Sequence, residues 1–297
     1  MRLALFDDWR LGAVDPDART VTDITHVLPY PHTTDPLGAG WWRQLCRDYD
    51  ELEARLAEAA RQGPPRPLSR VHLRAPALNP GKIIACASNY PEHVVEIRES
   101  VMARQVRDAG WLLDFDVFLK APTSISGPAD PVLLPFSPLE AGHPIHHESE
   151  LTLVIGRGGR DIDEAAALSH VLGYLIGLDM TERGDGDRSR RKSYDTFTPL
   201  GPWLTTAEEV PDPQHLDIEL RVDGTVRQKV STDDMITPIP KIISYASHVM
   251  TLEPGDLIMT GAPPGVGPVH AGDTIDVTIS ELGRMRLPVQ EERRRRS

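Results

Sequence analysis

The chain has 297 residues, of which 40% are hydrophobic, and a formal net charge of −12 at pH 7. A chain of this length can bury an ample core in one large domain, or in a large domain with a small one attached. The acidic balance argues against a nucleic-acid partner, because phosphate contacts need a basic surface.

The cysteine content indicates the cellular compartment, and the glycine and proline contents indicate the fold class. Two cysteines, Cys46 and Cys86, are too few for a disulfide framework or a zinc site, and they indicate a reducing compartment. Asp7, Asp8 and Arg10 interrupt the N-terminus before a signal-peptide core forms, and no apolar run approaches the length of a membrane span. We therefore expect a cytoplasmic protein with no membrane partner. The 27 prolines and 23 glycines favour a β-rich fold with many turns.

The sequence divides into four parts along the chain. Residues 1–62 predict a small N-terminal α+β module, in which short strands joined by Asp/Pro turns precede a helix at 42–62. The proline-rich residues 63–80 predict a linker. Residues 81–290 predict the main domain, and the polar residues 291–297 predict a disordered tail.

Within the main domain, the stretch "DIDEAAALSHVLGYLIGLDMT" from residue 161 onward predicts a helix. Asp161 or Asp163 can cap its start, and Gly177 suits its end. Asp179 would then lie just past the helix terminus, where its carboxylate could project toward other acidic groups.

The stretch "HHESELTLVI" (146–155) places two glutamates in a strand-like run. Side chains at i and i+2 of an extended chain point the same way, so Glu148 and Glu150 would share a face, with His146 toward them and His147 away. Together with Asp179, this carboxylate set would suit a hard divalent ion such as Mg²⁺ or Mn²⁺. A solvated strand face is the commoner explanation of such a pair when spacing is the only observation.

Two further stretches carry chemistry. In "SNYPEHVVEIRE" (88–99), His93 and Glu96 fall on one face of a helical turn, where the carboxylate can orient an imidazole that takes a proton. An ordinary exposed His/Glu pair is the alternative. In "EPGDLIMTGAPPGVG" (253–267), the glycines would let backbone amides approach an anion, unless the segment is simply a cluster of β-turns.

Seven ordered motifs resemble the fumarylacetoacetate hydrolase family over roughly residues 80–289: "SNYPEHVVE", "FLKAPTSISGP", "HHESELTLVIGR", "GYLIGLDMTERG", "RKSYDTFTPLGPW", "DDMI" and "LEPGDLIMTGAPPGVG". The resemblance implies an α+β, β-rich fold, namely a mixed β-sandwich roll with a small N-terminal domain. It also implies a homodimer and a bound Mg²⁺ or Mn²⁺. Matching motif by motif, it assigns metal binding to Glu148, Glu150 and Asp179, catalysis to His93, Glu96 and Lys192, and substrate binding to Thr260 and Gly261.

The chain departs from the family at two places that shape the substrate pocket. "TERGDGDRSRRK" is shorter than the loop that commonly follows the metal aspartate, and "TGAP" has Ala262 where the family usually has a threonine. In this loop the basic run Arg188, Arg190, Arg191 and Lys192 is a candidate for recognition of a second substrate carboxylate, with Arg188 taken as the substrate-binding residue, although arginines in polar loops are commonly just solvated. Lys120, in "FLKAPTS", is interpreted as a structural ion-pair partner.

The resemblance implies a metal-dependent hydrolase that cleaves a carbon–carbon bond in an acylpyruvate-like or 1,3-dicarbonyl substrate. The metal would stabilise an enolate while His93 activates water. The alternatives are isomerisation of a 2-hydroxydienoate or decarboxylation of a 2-oxo acid in the catabolism of aromatic compounds. A non-catalytic anion-binding protein is a more remote alternative. The expected partner is in each case a small 2-oxo acid or diketone.

Overall fold

The computed structural model describes residues 1–38, 40–100 and 114–292, with the backbone alone described for 97–100. From residue 293 on, the tail predicted for 291–297 lies outside the described residues; residue 291 ends a strand. None of the helices in the described ranges combines the length and the apolar character needed to cross a bilayer.

Strands dominate the described chain. In chain order they are β1 (Arg2–Phe6), β2 (Arg10–Asp15), β3 (Thr20–Asp23), β4 (Pro65–Pro67), β5 (Leu73–Arg74), β6 (Ile83–Ala87), β7 (Asp116–Lys120), β8 (Ile125–Ser126), β9 (Val132–Leu134), β10 (Ile145–His147), β11 (Ser149–Ile155), β12 (Val171–Leu178), β13 (Thr181–Glu182), β14 (Thr198–Thr206), β15 (Asp217–Val222), β16 (Thr225–Ser231), β17 (Leu257–Met259), β18 (Gly267–Val269), β19 (Thr274–Ile279) and β20 (Gly283–Glu291). The α-helices are α1 (Gly40–Gln62), α2 (Pro91–Ser100), α3 (Phe136–Glu140), α4 (Arg188–Arg191) and α5 (Ile239–Val249).

The strands form three sheets with mixed pairing. The largest has the order β4-β3-β2-β1-β14-β12-β11-β17-β6-β7, with β5 on β1 and β8 on β14. A second sheet has the order β16-β15-β19-β20-β9, and a small third sheet has the order β13-β10-β18. Most pairs are antiparallel, but three pairs run parallel, namely β17 with β6, β20 with β9 and β14 with β8. The predicted β-rich, mixed-sheet fold is confirmed.

Both faces of the central strands are buried, which explains their nearly continuous apolar sequences. On one face, Leu172 and Leu175 of β12 share a cluster with Trp42 and Leu45 of α1. On the other face, Ile176 and its neighbours share a cluster with residues of α5 and of the second sheet. The central strands β11 and β12 are therefore a rigid platform for any side chain at their ends.

The N-terminal residues continue this large sheet. β1 pairs antiparallel with β14. β4 and β5, which lie in the proline-rich segment, pair with β3 and β1. The helix predicted for 42–62 is present as α1. The division into a module at 1–62, a linker at 63–80 and a catalytic domain at 81–290 stays a prediction.

The helix predicted from residue 161 is wrong. Residues Glu164–His170 form a 3₁₀ helix, and Val171–Leu178 form the strand β12. The run "VLGYLIGL" is apolar throughout, and periodicity cannot distinguish a doubly buried strand from a buried helix in so short a run. Glycines decide the outcome, because a Cβ at Gly173 would meet the Thr205 carbonyl oxygen of β14. Close strand packing needs the glycine that a helix would disfavour.

Candidate active site

The site forms where four strands of the large sheet end at one edge. β11 runs antiparallel to β12 and to β17, and β17 runs parallel to β6. The start of β11 therefore lies beside the ends of the other three strands. The chain segments that carry the predicted site residues follow or precede these ends, so the topology brings distant parts of the sequence together.

Three buried carboxylates meet at this edge. Glu148 lies between β10 and β11, Glu150 is the second residue of β11, and Asp179 follows β12. One oxygen from each lies within 4.8 Å of the others. The Asp179 amide donates to the Glu148 carbonyl oxygen at 2.8 Å. Strand pairing, and not the predicted helix terminus, places Asp179 here.

Cations surround two of these three carboxylates. Lys192 Nζ lies 2.7 Å from Glu148 Oε2 and 2.5 Å from Asp179 Oδ2. Lys120 Nζ lies 2.5 Å from Asp179 Oδ1 and is fully buried. Arg183 donates through Nη2 to Glu148 Oε1. Glu148 and Asp179 therefore each have positively charged groups at hydrogen-bonding distance.

The two glutamates respond in opposite ways to their surroundings. Burial raises the pKa of Glu148, but Lys192 and Arg183 outweigh it and hold this pKa well below its usual range. Burial and the charge of Asp179 raise the pKa of Glu150 well above its usual range. Glu150 Oε2 accepts from the Gly261 amide at 2.7 Å, whereas Oε1 is buried without a hydrogen-bond partner among the described residues.

This donor set fits a hard divalent cation. Carboxylate oxygens are the ligands that Mg²⁺ and Mn²⁺ prefer. A buried carboxylate oxygen without a donor costs free energy unless a cation or donor reaches it. Oε1 of Glu150 is such an oxygen, and a cation bound between Glu148, Glu150 and Asp179 would give it a partner. The residues present can therefore hold the ion that the sequence predicts.

His93 and Glu96 form a pair at the start of α2. His93 Nδ1 lies 3.2 Å from Glu96 Oε2, and His93 is buried. Glu96 Oε1 accepts from the Gly265 amide at 2.7 Å. Burial raises the pKa of Glu96, but the hydrogen bonds from His93 and Gly265 outweigh it, and this pKa lies below its ordinary value. Glu96 is therefore an anion that accepts a hydrogen bond from His93 Nδ1, so Nε2 is the ring nitrogen that can act as a base.

The turn after β17 supports the cluster through its backbone. Gly261 has φ +102°, and a Cβ there would lie 2.8 Å from Asn89 Cβ. The Thr260 hydroxyl donates to the Leu151 carbonyl oxygen at 3.0 Å. Thr260 can therefore contact a substrate anion through this hydroxyl only after that hydrogen bond is released, whereas Gly261 already binds Glu150.

The two histidines before the glutamates lie on different sides, as the alternation predicts. His146 Nδ1 accepts from Arg183 Nε at 3.2 Å, and His147 Nδ1 lies 3.2 Å from Gln228 Oε1. Burial lowers the pKa of each histidine to about 4. Both are neutral at pH 7, and His146 is linked to Glu148 through Arg183.

The loop between β13 and Lys192 brings further arginines to the cluster. Arg188, in α4, is half-buried, and its guanidinium carbon lies 5.9 Å from the Phe118 ring centroid. Burial lowers the pKa of Arg188, against the opposing charges of Asp116 and Glu148. The sequence-based interpretation selected Arg188 but did not select Arg183.

Lys120 forms an ion pair, as its interpretation as a structural ion-pair partner predicts, but the sequence does not identify Asp179 as the partner. The Lys120 ammonium contacts Asp179 and the Phe197 carbonyl oxygen, the latter at 2.8 Å. Its position within the motif "FLKAPTS" was the available signal. Lys120 lies 59 residues from Asp179 in sequence, and no local pattern predicts a contact across that separation.

Comparisons with known proteins agree with the fold. A family model of the fumarylacetoacetate hydrolase C-terminal domain matches residues 82–290. Maleylpyruvate hydrolase of Aquipseudomonas alcaligenes is 38% identical over 293 residues, which cover 98% of this chain and 99% of the relative. A crystal structure of maleylpyruvate hydrolase from Sphingobium sp. SYK-6, in complex with manganese(II) and pyruvate, is 39% identical with a TM-score of 0.86, covering 99% of this chain and 100% of the other.

A crystal structure of 2-hydroxyhepta-2,4-diene-1,7-dioate isomerase from Mycobacterium marinum is also similar. It is 32% identical with a TM-score of 0.72, covering 98% of this chain and 99% of the other. The same fold therefore occurs in relatives whose names describe a hydrolysis and an isomerisation.

Proposed function

The chain belongs to the fumarylacetoacetate hydrolase family, an enzyme family, and on this premise we propose that it hydrolyses a carbon–carbon bond in an acylpyruvate. Two relatives that match nearly the whole chain are maleylpyruvate hydrolases. The substrate class is accordingly a 2-oxo acid with a second carbonyl group two carbons further along.

One observation carries this proposal. His93 is buried and paired with an anionic Glu96. Glu96 also accepts from the Gly265 amide, in the same turn-rich segment whose Gly261 amide binds Glu150. A base held in this way beside a cation site can remove a proton from water next to a bound substrate. Neither isomerisation nor decarboxylation needs a water-activating base.

The proposed metal ligands are Glu148, Glu150 and Asp179, with Mg²⁺ or Mn²⁺ as the ion. When bound, such an ion supplies a Lewis acid that stabilises negative charge on the oxygens of the 2-oxo acid. Lys192 Nζ, 2.7 Å from the Thr181 hydroxyl, adds positive charge beside the same oxygens.

The protein's own residues account for the proton transfers. His93 Nε2 takes a proton from water, and the water oxygen adds to the carbonyl carbon remote from the carboxylate. The bond between that carbon and the next breaks, and its electron pair passes to the 2-oxo acid fragment as an enolate. The protonated His93 can return the proton to this fragment, which leaves as pyruvate while the other leaves as a carboxylic acid. Glu96 keeps the imidazole oriented throughout.

Three residues are the proposed substrate contacts. Thr260 and Gly261 lie in the turn after β17, and Arg188 lies in the loop before Lys192.

The proposed form of the protein is a homodimer in the cytoplasm. The two buried free cysteines are consistent with a reducing compartment.

Isomerisation of a 2-hydroxydienoate is the second candidate, because the isomerase from Mycobacterium marinum shares the fold at 32% identity. Decarboxylation of a 2-oxo acid would use the same cation and the same enolate. A scaffold that binds anions without turnover is the remaining alternative.

Product analysis tests the proposal. The purified protein is incubated with Mn²⁺ or Mg²⁺ and with maleylpyruvate, fumarylpyruvate, oxaloacetate or a 2-hydroxymuconate-type diene, and products are identified by mass spectrometry. We expect pyruvate and a carboxylic acid from the acylpyruvates, with one oxygen from ¹⁸O-labelled water in the acid. Conserved mass would favour isomerisation, release of CO₂ would favour decarboxylation, and absence of any turnover would favour the anion-binding alternative.

A further inference from the structure

Arg191 lies beside the carboxylate cluster but outside its ion pairs. It directly precedes Lys192, whose Nζ is 2.7 Å from Glu148 Oε2. Its guanidinium donates from Nε to the Gly186 carbonyl oxygen and from Nη1 to the Glu182 carbonyl oxygen, both at 3.0 Å. Among the side chains of residues 1–38, 40–96 and 114–292, no carboxylate forms an ion pair with Arg191, and no acceptor in these ranges reaches its Nη2.

The surroundings of Arg191 favour an anion. Burial and the charge of Arg183 lower the pKa of Arg191, against the attraction of Glu148. Arg188 adds further repulsion. A negatively charged group bound near these guanidinium groups would offset that repulsion. Because Arg191 is half-buried, its charge-assisted hydrogen bonds to such a group would be strong.

The neighbouring cations Lys120, Lys192 and Arg183 already have carboxylate partners. Lys120 and Lys192 pair with Asp179, and Arg183 pairs with Glu148. Arg191 differs from all three because its hydrogen bonds go to backbone carbonyl oxygens. Its positive charge therefore remains available to a ligand bound at the cluster.

Arg190 provides a natural contrast within the same helix. Its Nη1 donates to the Tyr194 hydroxyl at 3.1 Å, and its Nη2 lies 3.5 Å from Glu182 Oε2. Arg190 is exposed and has a carboxylate partner, so it is a matched arginine whose charge is already paired.

We propose that Arg191 binds the second carboxylate of a dicarboxylic acylpyruvate and makes the enzyme prefer such diacids to acylpyruvates with an apolar end. The inference rests on the proposed hydrolase function and adds to it a substrate class and the residue that selects it. The planar guanidinium fork matches a carboxylate in a bidentate arrangement, which a lysine cannot reproduce.

Turnover of a matched substrate pair tests the selection. Fumarylpyruvate and crotonylpyruvate differ only by a carboxylate in place of a methyl group at the far end. We expect Arg191→Gln to lower the ratio of their kcat/KM values by about 10- to 100-fold, because a charge-assisted hydrogen bond is lost. The control Arg190→Gln should keep this ratio within about twofold of the wild type.

Binding of non-hydrolysed 2-oxo acids gives a readout that does not depend on turnover. Calorimetry of the Mn²⁺-loaded protein compares 2-oxoadipate with 2-oxohexanoate, which again differ by a terminal carboxylate. The wild type and Arg190→Gln should bind 2-oxoadipate more tightly, and Arg191→Gln should bind the two with nearly equal affinity.

The two arms separate failure of this inference from failure of the proposed function. If no acylpyruvate is hydrolysed while Arg191→Gln still removes the preference for 2-oxoadipate, the hydrolase function fails and the role of Arg191 stands. If Arg191→Gln lowers turnover of both acylpyruvates by the same factor and leaves the binding preference intact, Arg191 only supports the loop and the inference is overturned.

Discussion

The carboxylate cluster and the arginine loop at 183–191 lie side by side but are built differently. Glu150 and Asp179 occupy or follow long strands buried on both faces, and they are fully buried themselves. Arg188 and Arg191 lie in a four-residue helix and are only half-buried. The difference fits the proposed division of labour, in which rigid strand ends hold the metal ligands and a short loop selects the substrate.

The cluster and the loop also differ in which of their charged groups have partners. In the cluster, Glu148 and Asp179 have cationic partners, whereas Oε1 of Glu150 has no hydrogen-bond partner among the described residues. In the loop, Nη2 of Arg191 has no acceptor within the described part of the chain. The cluster is therefore prepared for a cation and the loop for a negative group, in line with a substrate that bridges the two.

Removal of a carboxylate from the cluster should have the largest effect. Glu148→Ala, Glu150→Ala or Asp179→Ala should lower Mn²⁺ affinity by more than about 100-fold and abolish turnover, since residues that merely support a ligand already cost about 10- to 100-fold. Calorimetric titration with Mn²⁺ measures the affinity, and circular dichroism verifies the fold.

Glu182→Gln is the matched control for these variants. Glu182 is a buried carboxylate that accepts from the Tyr194 hydroxyl at 2.8 Å and pairs with His143, outside the cluster. It should keep normal Mn²⁺ affinity. Unchanged Mn²⁺ affinity in any of the three alanine variants would remove that residue from the set of ligands.

Much of the cluster was predictable from the sequence, because two of its residues belong to one extended segment. The alternation of an extended chain is enough to place Glu148 and Glu150 on one face. The partner Asp179 was predicted to lie near them, but on a wrong element, because "VLGYLIGL" has no periodicity that separates a buried strand from a buried helix. Lys120 reaches the cluster through tertiary contacts alone, and sequence patterns do not encode those.

The loop was less predictable for a different physical reason. Its sequence "DRSRRK" shows where positive charge is concentrated, but it does not show which guanidinium is already paired. The pairing depends on Glu182, which lies in a strand of the small third sheet and neutralises Arg190 and not Arg191. Only the folded chain distinguishes the two neighbouring arginines.

Replacement of the proposed base should have the second largest effect. His93→Ala should lower hydrolytic kcat by about 10² to 10⁴, with Mn²⁺ affinity nearly unchanged, because His93 is not among the carboxylate ligands. Glu96→Gln should lower kcat less, since Glu96 orients the base without taking its proton. Rates are measured at saturating substrate, so that the loss appears in kcat and not only in KM.

His143→Ala controls for the loss of a histidine that pairs with a carboxylate. His143 Nδ1 lies 2.7 Å from Glu182 Oε1, outside the cluster, and its removal should leave kcat close to that of the wild type. If His93→Ala and His143→Ala have the same kcat, water activation by His93 is wrong and the isomerase or decarboxylase alternative gains support.

A change in the turn that holds Glu150 should have an intermediate effect. Gly261→Ala introduces a Cβ at φ +102° and against Asn89, so the amide that binds Glu150 must move. We expect Mn²⁺ affinity to fall about 10- to 100-fold, measured by the same titration. Gly272→Ala is the control, because Gly272 likewise has a positive φ, +98°, but a Cβ there would meet nothing within 4 Å. Equal Mn²⁺ affinities in both variants would show that the Gly261 amide does not position Glu150.

The smallest effect should come from Arg188, which the sequence selected as a substrate contact. Its guanidinium carbon lies 5.9 Å from the Phe118 ring centroid, a stacking contact worth about 0.5–1 kcal/mol. Arg188→Gln should raise KM about three- to tenfold with little change in kcat, because Arg188 contributes equally to binding of the ground state and of the transition state. Steady-state kinetics with fumarylpyruvate measures both constants.

Phe118→Leu separates the charge of Arg188 from its stacking. This variant keeps the guanidinium and removes the aromatic face, so KM should rise less than in Arg188→Gln if the charge binds the substrate. Equal increases would mean that Phe118 mainly orients Arg188 and that orientation, not charge alone, determines binding. A fall in kcat without a rise in KM in Arg188→Gln would contradict the division of labour between loop and cluster, because the loop would then act on the chemical step.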